Sequence, residues 1–222
     1  MRNVLVVAPH PDDETLGCGG TLLRHVADGD AVHWLIVTGI TEAAGFSAER
    51  VASRAREIEA VGQQYGFASV HILGLETTRL DTIPMASLVV QIGAVFKAVE
   101  PNIVYLPYRG DAHTDHAAVF DASTACTKWF RYSSVERVLV YETLSETEFS
   151  INPDSAGFRP NVFVDVSRYL DQKVRIMEAF ESEVGAFPFP RSERALRALA
   201  HLRGAASGFE ASEAFMLIRE RI

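Results

Sequence analysis

One short segment near the start of the chain concentrates side chains that could do chemistry. His10 lies between two prolines, and Asp12, Asp13 and Glu14 follow it in a row. Adjacent carboxylates repel each other, so this crowding gives no stability by itself. An acidic first helical turn, which the helix dipole favours, accounts for Glu14 but not for the histidine. The pattern therefore indicates a site for a cation.

A second polar cluster follows about a hundred residues later. It consists of Asp111, His113, Asp115 and His116, directly after another apolar run. Two histidines three residues apart share a face if a helix begins at this point. The interleaved aspartates are suited to orient imidazoles that bind a metal.

Together the two clusters offer a complete catalytic metal site. Three protein ligands and one water are usual for catalytic zinc, and His10, Asp13 and His116 supply two nitrogens and a carboxylate. Asp12 is then left beside the metal, in the place of a general base for water. His113 is left to protonate a leaving group or to stabilise an oxyanion. The same ligands also accept Fe²⁺ or Co²⁺.

The rest of the chain alternates between two patterns. Apolar runs of strand length occupy residues 4–8, 32–38, 70–73, 103–106, 138–141 and 162–165. Amphipathic helical patterns occupy residues 21–28, 48–65, 86–99, 172–183 and 192–202. The alternation predicts an α/β fold: a single Rossmann-like domain over residues 1–222, with a mostly parallel sheet and helices on both faces. The near-continuous apolar runs predict strands that are buried on both faces.

The predicted fold also explains where the polar clusters lie. Each cluster follows the carboxyl end of a predicted strand, which is where open α/β sheets bind their ligands. A long surface loop is predicted at residues 152–160, near the same edge of the sheet.

Charge and cysteine content narrow the class of protein. The chain of 222 residues has a net charge of −8 and no basic block, so we expect no nucleic-acid partner. No apolar stretch reaches the roughly 18–20 residues of a membrane span. The two cysteines form no CxxC pair and are expected to be reduced thiols, which predicts a cytoplasmic protein.

Several motifs match one family at the same time. They occupy residues 8–14, 16–20 and 113–116, and the C-terminal segments 190–192, 203–204 and 212–215. As a set they resemble the PIG-L/LmbE-type family of zinc-dependent N-acetylglucosamine deacetylases. The resemblance extends over essentially the whole chain, and its paired motifs are far more specific than a single short pattern.

The resemblance implies a role for each matching residue. It assigns His10, Asp13 and His116 as zinc ligands, Asp12 as the general base, His113 as the acid or oxyanion-stabilising residue, Asp115 as the carboxylate that orients His113, and Arg54 as a substrate contact. It also implies the reaction, in which the acetamide of a small N-acetylated sugar is hydrolysed to acetate and a free amine.

Some alternatives stay open at this point. Glu142 either contacts the sugar or is a solvated acid at a strand end, and residues 187–191 either wall the site or form a subunit contact. A homo-oligomer is compatible with the sequence, which does not fix the oligomeric state. The substrate could instead be another small amide conjugate. A non-catalytic, metal-stabilised binding module is the remaining alternative, although it would need neither Asp12 nor His113.

Overall fold

A single sheet forms the frame of the molecule. The computed structural model describes residues 1–150 and 157–222, so part of the loop predicted at residues 152–160 lies outside the described residues. The strands are β1 (Asn3–Ala8), β2 (Ala31–Gly39), β3 (Ser69–Glu76), β4 (Ile103–Pro107), β5 (Arg137–Tyr141), β6 (Val162–Asp165) and β7 (Ser212–Glu220). They are arranged in the order β3-β2-β1-β4-β5-β7-β6.

Helices connect most of these strands. They are α1 (Asp13–Ala27), α2 (Ala48–Tyr65), α3 (Met85–Val99), α4 (Thr114–Ala125), α5 (Leu170–Met177) and α6 (Glu193–Ser207). The sequence places α2, α3 and the start of α6 within a residue. The amphipathic pattern at 21–28 covers only the second half of α1, whose acidic first turn is expected at residues 12–14, and the predicted α5 extends six residues too far. Among the described residues, no helix has the length and apolar character needed to cross a membrane.

The expected mostly parallel sheet is confirmed, with one addition. Neighbouring strands from β3 to β5 pair in parallel, and β7 inserts antiparallel between β5 and β6. The sequence prediction lacks β7, whose last residues are exposed and include Arg219 and Glu220. The segment does contain an apolar run, Ala214–Ile218, as long as that of β1, so the sequence carries a strand signal here that the prediction did not use.

The helices cover both faces of the sheet, as expected. Alternate residues of β1 enter different cores: Val4, Val6 and Ala8 pack with α1, α2, α5 and α6. Leu5 and Val7 pack with α3 and α4 on the opposite face. The central strands are therefore apolar throughout, because side chains that point to either face are buried.

The expectation of burial on both faces is wrong for β3. This strand lies at the edge of the sheet, and its residues alternate between half-buried and exposed. Val70 and Ile72 are among the exposed apolar residues. The apolar run of β3 thus reflects strand propensity at an edge and not a position in the core.

The strand order creates a crevice between β1 and β4. The chain proceeds from β1 outward to β2 and β3, and then returns to place β4 on the other side of β1. In open α/β sheets, ligands bind outside the carboxyl ends of strands at such a reversal. His10 follows β1 and Asp111 follows β4, so the fold brings both polar clusters to this crevice.

Helix α1 is interrupted in its middle. Cys18 has non-helical dihedral angles (φ −144°, ψ 18°). Glu213 accepts hydrogen bonds from the freed N–H groups of Gly20 and Thr21, at 2.9 and 2.7 Å. Lys173 donates to the Leu16 carbonyl at 2.9 Å and to Glu213 at 2.7 Å. A buried ion pair thus replaces three of the backbone hydrogen-bond partners lost at the break.

Close packing explains the glycines around this break. A Cβ atom on Gly17 would lie 2.2 Å from a ring carbon of Tyr141, which leaves no room for a larger residue. Cys18 is fully buried in the core, and both cysteines are free thiols. The glycines thus allow α1 to approach the sheet closely, and this segment is not a phosphate-binding loop.

Candidate metal centre

The turn after β1 holds Asp12 in an unusual backbone conformation. Asp12 is the N-cap of α1, with φ 139° and ψ −27°, and its side chain makes no capping hydrogen bond. Such dihedral angles are costly for a residue other than glycine, by about 1–3 kcal/mol, and they cluster at functional sites. The sequence predicts Asp12 inside the first helical turn, and the structure places it one residue before the helix.

Glu14 is not a solvated side chain of the first helical turn. Its side chain is fully buried. One carboxylate oxygen accepts the Asp12 backbone N–H at 3.1 Å, and the other accepts the Thr15 hydroxyl at 2.6 Å. Burial raises the pKa of Glu14 to about 8, although the hydrogen bond from Thr15 opposes this. Glu14 therefore holds the turn that presents Asp12, in addition to starting the helix.

Asp13 lies between two imidazoles. Its Oδ2 atom is 3.2 Å from Nδ1 of His10 and 3.3 Å from Nε2 of His116. One donor atom from each of the three residues falls within 4.8 Å of the others. Ligand atoms bound to one tetrahedral zinc ion at about 2.0–2.1 Å are about 3.3–3.4 Å apart. The two distances to Asp13 therefore fit edges of such a site.

His116 supplies the strongest indication of a missing partner. Its ring is fully buried, and its Nε2 atom has no hydrogen-bond partner. Its Nδ1 atom is fixed by Asp111 at 2.7 Å, and Asp111 in turn accepts the Thr147 hydroxyl at 2.6 Å. This arrangement orients one imidazole nitrogen toward Asp13 and is typical of histidines that bind metals. The residues present therefore fit a divalent metal ion.

A second possible donor group shares His10 with the first. It combines His10 with His113 and Asp115. The Asp115 carboxylate, however, already accepts the backbone N–H groups of Thr78 and Leu80, at 2.7 and 3.3 Å. The Asp13 carboxylate likewise accepts a backbone N–H, that of His10 at 2.8 Å, so the carboxylates do not separate the two groups. The first group is the better metal site because it contains a buried histidine nitrogen without a hydrogen-bond partner, Nε2 of His116.

His113 is oriented differently from the expectation. It is the N-cap of α4, and its Nδ1 atom accepts the Asp115 backbone N–H at 3.1 Å. The Asp115 carboxylate is 3.9 Å from this nitrogen and instead contacts His10 at 3.2 Å. Burial and the nearby His10 lower the pKa of His113. A neutral ring that accepts through Nδ1 carries its proton on Nε2, so His113 can donate a hydrogen bond.

The charges of the site are not balanced by the residues around it. Burial together with Asp13 and Glu183 raises the pKa of Asp12 to about 8, against the effect of Arg191. Burial lowers the pKa of His10, but hydrogen bonds with Asp115 and Asp13 raise it to about 9. Asp13 likewise raises the pKa of His116, against burial. Protons thus accumulate where a cation would lie, which agrees with a metal site.

A cavity of about 280 Å³ opens beside this cluster. His10, Asp12, Asp13, His113 and Arg54 line it, so it brings most of the expected residues together. Arg191, from the segment 187–191, also lines it, together with residues that the sequence did not indicate, among them Thr38, Phe46, Arg50, Glu146 and Glu183. The latter belong to no motif and come from a strand end, loops and the start of α2, so only the fold brings them together.

Arg191 resolves one alternative at the C-terminal turn. Its guanidinium lines the cavity, 3.9 Å from the Asp12 carboxylate, and it pairs with Glu183 at 3.1 Å. The end of the segment 187–191 therefore walls the cavity, while Phe187 at its start is exposed.

Glu142 does not line this cavity. Its carboxylate forms two hydrogen bonds with Arg203, at 2.8 and 2.6 Å, and its side chain is 10% exposed. It is thus neither solvated nor directed toward the metal donors, and the structure does not bring it to the other expected residues.

Comparison with known proteins gives a consistent result. A family model described as "PIG-L: GlcNAc-PI de-N-acetylase" matches residues 5–127, more than half of the chain. The diacetylchitobiose deacetylase of Thermococcus kodakarensis is 27% identical, over 98% of this chain and 84% of its own length. A probable N-acetyl-alpha-D-glucosaminyl L-malate deacetylase 2 of Bacillus cereus is 26% identical, over 83% of this chain and 85% of its own length.

A solved structure agrees with the fold over the full chain. The conserved protein TT1542 of Thermus thermophilus superimposes with a TM-score of 0.80 and 26% sequence identity. The match covers 100% of this chain and 97% of that one. The described architecture is therefore shared as a whole and not only at the motifs.

Proposed function

Since the chain belongs to the PIG-L family, we propose that it is a metal-dependent deacetylase that removes the acetyl group from a small N-acetylglucosamine-type sugar or glycoconjugate. We further propose zinc as the metal, with His10, Asp13 and His116 as its ligands. Fe²⁺ and Co²⁺ suit the same donors.

One observation carries the proposal. Two imidazole nitrogens lie 3.2 and 3.3 Å from the same Asp13 oxygen, and the nitrogen of His116 is buried without a hydrogen-bond partner. A buried polar atom without a partner is costly, so this arrangement is best explained by an ion between the three side chains. The cavity beside them provides room for a substrate.

The neighbouring side chains suit the hydrolysis of an amide. When bound, a divalent metal supplies Lewis acidity, which activates water and polarises a carbonyl group. Asp12 lines the cavity next to the ligand Asp13, where its carboxylate can accept a proton from water. His113 lines the same cavity, and its Nε2–H group can donate to the oxyanion or to the departing amine.

The relatives narrow the proposed substrate. The two curated relatives are named for a diacetylchitobiose and an N-acetylglucosaminyl malate. The substrates in these two names share an acetamido sugar, and we propose only this shared group as part of the substrate of the present chain. A cytoplasmic location and a homo-oligomer remain predictions from the sequence.

Acetate release tests the proposal. The purified chain, stripped of metal and reloaded with zinc, should release acetate from at least one member of a panel of N-acetylglucosamine derivatives. Asp12→Asn should lower turnover by about 10²–10⁴-fold, the usual contribution of a general base, and should still bind one zinc per chain.

Each alternative predicts a different outcome. A chain that binds one zinc but hydrolyses no member of the panel would be a binding module. Release of acetate from non-sugar amides alone would indicate a different amidase. Full activity of Asp12→Asn would remove Asp12 from the role of base.

A further inference from the structure

The peptide bond between Pro11 and Asp12 is held at both ends by buried side chains, one of Arg54 and one of Glu14. Nη1 of Arg54 donates to the Pro11 carbonyl at 2.9 Å. The N–H group of the same peptide, on Asp12, donates to Glu14 at 3.1 Å. A cation and an acid thus contact opposite ends of one peptide plane. This plane immediately precedes the residue with φ 139°.

The contacts are of the kind that can enforce a strained dihedral angle. The angle φ of Asp12 describes how the preceding peptide plane is rotated about the N–Cα bond. On the other side of Asp12, its carbonyl accepts the N–H groups of Thr15 and Leu16, both at 2.9 Å, and so belongs to α1. With both peptide planes fixed, the direction of the Cα–Cβ bond of Asp12 is fixed as well.

Each of the two clamping side chains is itself held in place. The remaining guanidinium nitrogens of Arg54 contact Glu57, at 3.2 Å, and Glu183. Glu14 is fixed by the hydroxyl of Thr15, which accepts a hydrogen bond from Tyr65 at 3.0 Å. All three nitrogens of Arg54 are therefore engaged within the protein, and only 10% of its side chain is exposed.

We propose that Arg54 and Glu14 are positioning residues, which together clamp the Pro11–Asp12 peptide and aim the Asp12 carboxylate into the cavity. This inference rests on the proposed function of Asp12 as the base. It differs from the role that the resemblance implies for Arg54, a direct contact with substrate. The two roles differ in kinetics, because a positioning residue affects the reacting geometry and a substrate contact affects binding.

Steady-state kinetics separate the two roles. Arg54→Gln should lower kcat by about 10–100-fold, because misplacement of a catalytic group by about 1 Å has an effect of this size. KM should change less than threefold, and zinc content should stay at one per chain. A tenfold or larger rise in KM with kcat preserved would overturn the proposal for Arg54.

Arg50 provides a matched control on the same wall. It shares ion pairs with Glu57 and Glu183, but its recorded contacts do not include Pro11. The fold-decrease in kcat caused by Arg50→Gln should therefore be at least ten times smaller than that caused by Arg54→Gln. Equal losses in kcat would show that the ion-pair network matters and the peptide contact does not.

A conservative pair tests Glu14. Glu14→Leu removes the acceptor for the Asp12 N–H group, whereas Glu14→Gln keeps an oxygen in reach of it. Glu14→Gln should recover most of the turnover that Glu14→Leu loses. Equal turnover of the two variants would exclude Glu14 from the clamp.

Urea unfolding tests the clamp without any reaction. Glycine tolerates a positive φ and alanine does not, so Asp12→Gly should have a higher unfolding midpoint than Asp12→Ala. In combination with Arg54→Gln, residue 12 is free to relax and this difference should shrink. An unchanged difference would overturn the proposal. If the wild-type chain released no acetate, the proposed function would fail, but this unfolding comparison would still decide the clamp.

Discussion

Two buried polar clusters lie along the same helix, and they differ in how completely their groups are paired. At the break in α1, Glu213 is 4% and Lys173 5% exposed. Glu213 accepts from Lys173 and from two backbone N–H groups, and Lys173 also caps the Leu16 carbonyl. This cluster is complete within the protein, and its role is to hold an interrupted helix against β7.

The cluster at the start of α1 is incomplete. Asp12, Asp13 and Glu14 are buried in a row, and the ion partners recorded for Asp13 in the described residues are only His10 and His116. His116 retains a buried nitrogen without a hydrogen-bond partner. Buried charge is thus not in itself a sign of function. The sign is buried charge that the surrounding residues leave unbalanced.

The largest expected effect concerns the complete cluster. Lys173→Met leaves the Glu213 carboxylate buried without its cation, which should lower the free energy of unfolding by about 3–5 kcal/mol. Chemical denaturation measures this loss. Arg109→Met is a matched control, because it breaks the exposed pair with Asp121 and should lose no more than about 1 kcal/mol. Comparable losses of unfolding free energy in the two variants would show that the buried pair contributes no more to stability than the exposed one.

A smaller effect is expected for Asp111, which lies behind the proposed metal ligand His116. Asp111→Asn weakens the contact that orients this imidazole, and the zinc affinity should fall by about 10–100-fold. Competition with a chelator measures the affinity. As a control, Asp121→Asn changes an aspartate on α4 that pairs with Arg109, and it should leave the zinc affinity unaltered. Unchanged zinc affinity in Asp111→Asn would show that Asp111 does not support the metal site.

The smallest effect concerns Asp30, a third carboxylate near α1, which also has its partners within the protein. Burial raises the pKa of Asp30, but hydrogen bonds from His25 and Arg2 outweigh burial and lower the pKa to about 2. Because the pKa is lower in the folded state, this stabilisation is present above about pH 4 and is lost as the pH falls through about 2.

Asp30→Asn tests this contribution. It should lower the free energy of unfolding at pH 7 by about 1 kcal/mol, and the difference from wild type should shrink as the pH approaches 2. Urea denaturation between pH 7 and 3 measures the trend. A difference that is independent of pH would contradict a role for the ionised carboxylate.

The parts of the site that the sequence predicted are those encoded in local motifs. His10, Asp13 and His116 each follow a strand that is recognisable from its apolar run. The rule that ligands bind at the carboxyl ends of strands then joined two segments about a hundred residues apart. In the structure, β1 and β4 are paired neighbours, and the segments that follow them are therefore in contact.

The remaining parts depend on contacts between distant segments. Glu183 reaches the cavity only because the turn after α5 folds back toward α1, and the same turn decides between the two alternatives for residues 187–191. A proline at residue 11 favours an ordinary helix start, whereas the positive φ of Asp12 coincides with the contacts of the Pro11–Asp12 peptide to Arg54 and Glu14. Similarly, the break at Cys18 is compensated by Glu213, nearly two hundred residues away.

The central claim is that a metal completes the cluster at the start of α1, and unfolding with and without zinc tests it most directly. A ligand that binds only the folded chain adds about 2.7 kcal/mol at 100 times its Kd. We predict this zinc-dependent gain for the wild-type chain and for Lys173→Met, and its loss in His116→Ala. The same gain in His116→Ala, or no gain in the wild-type chain, would contradict the assignment of the metal centre.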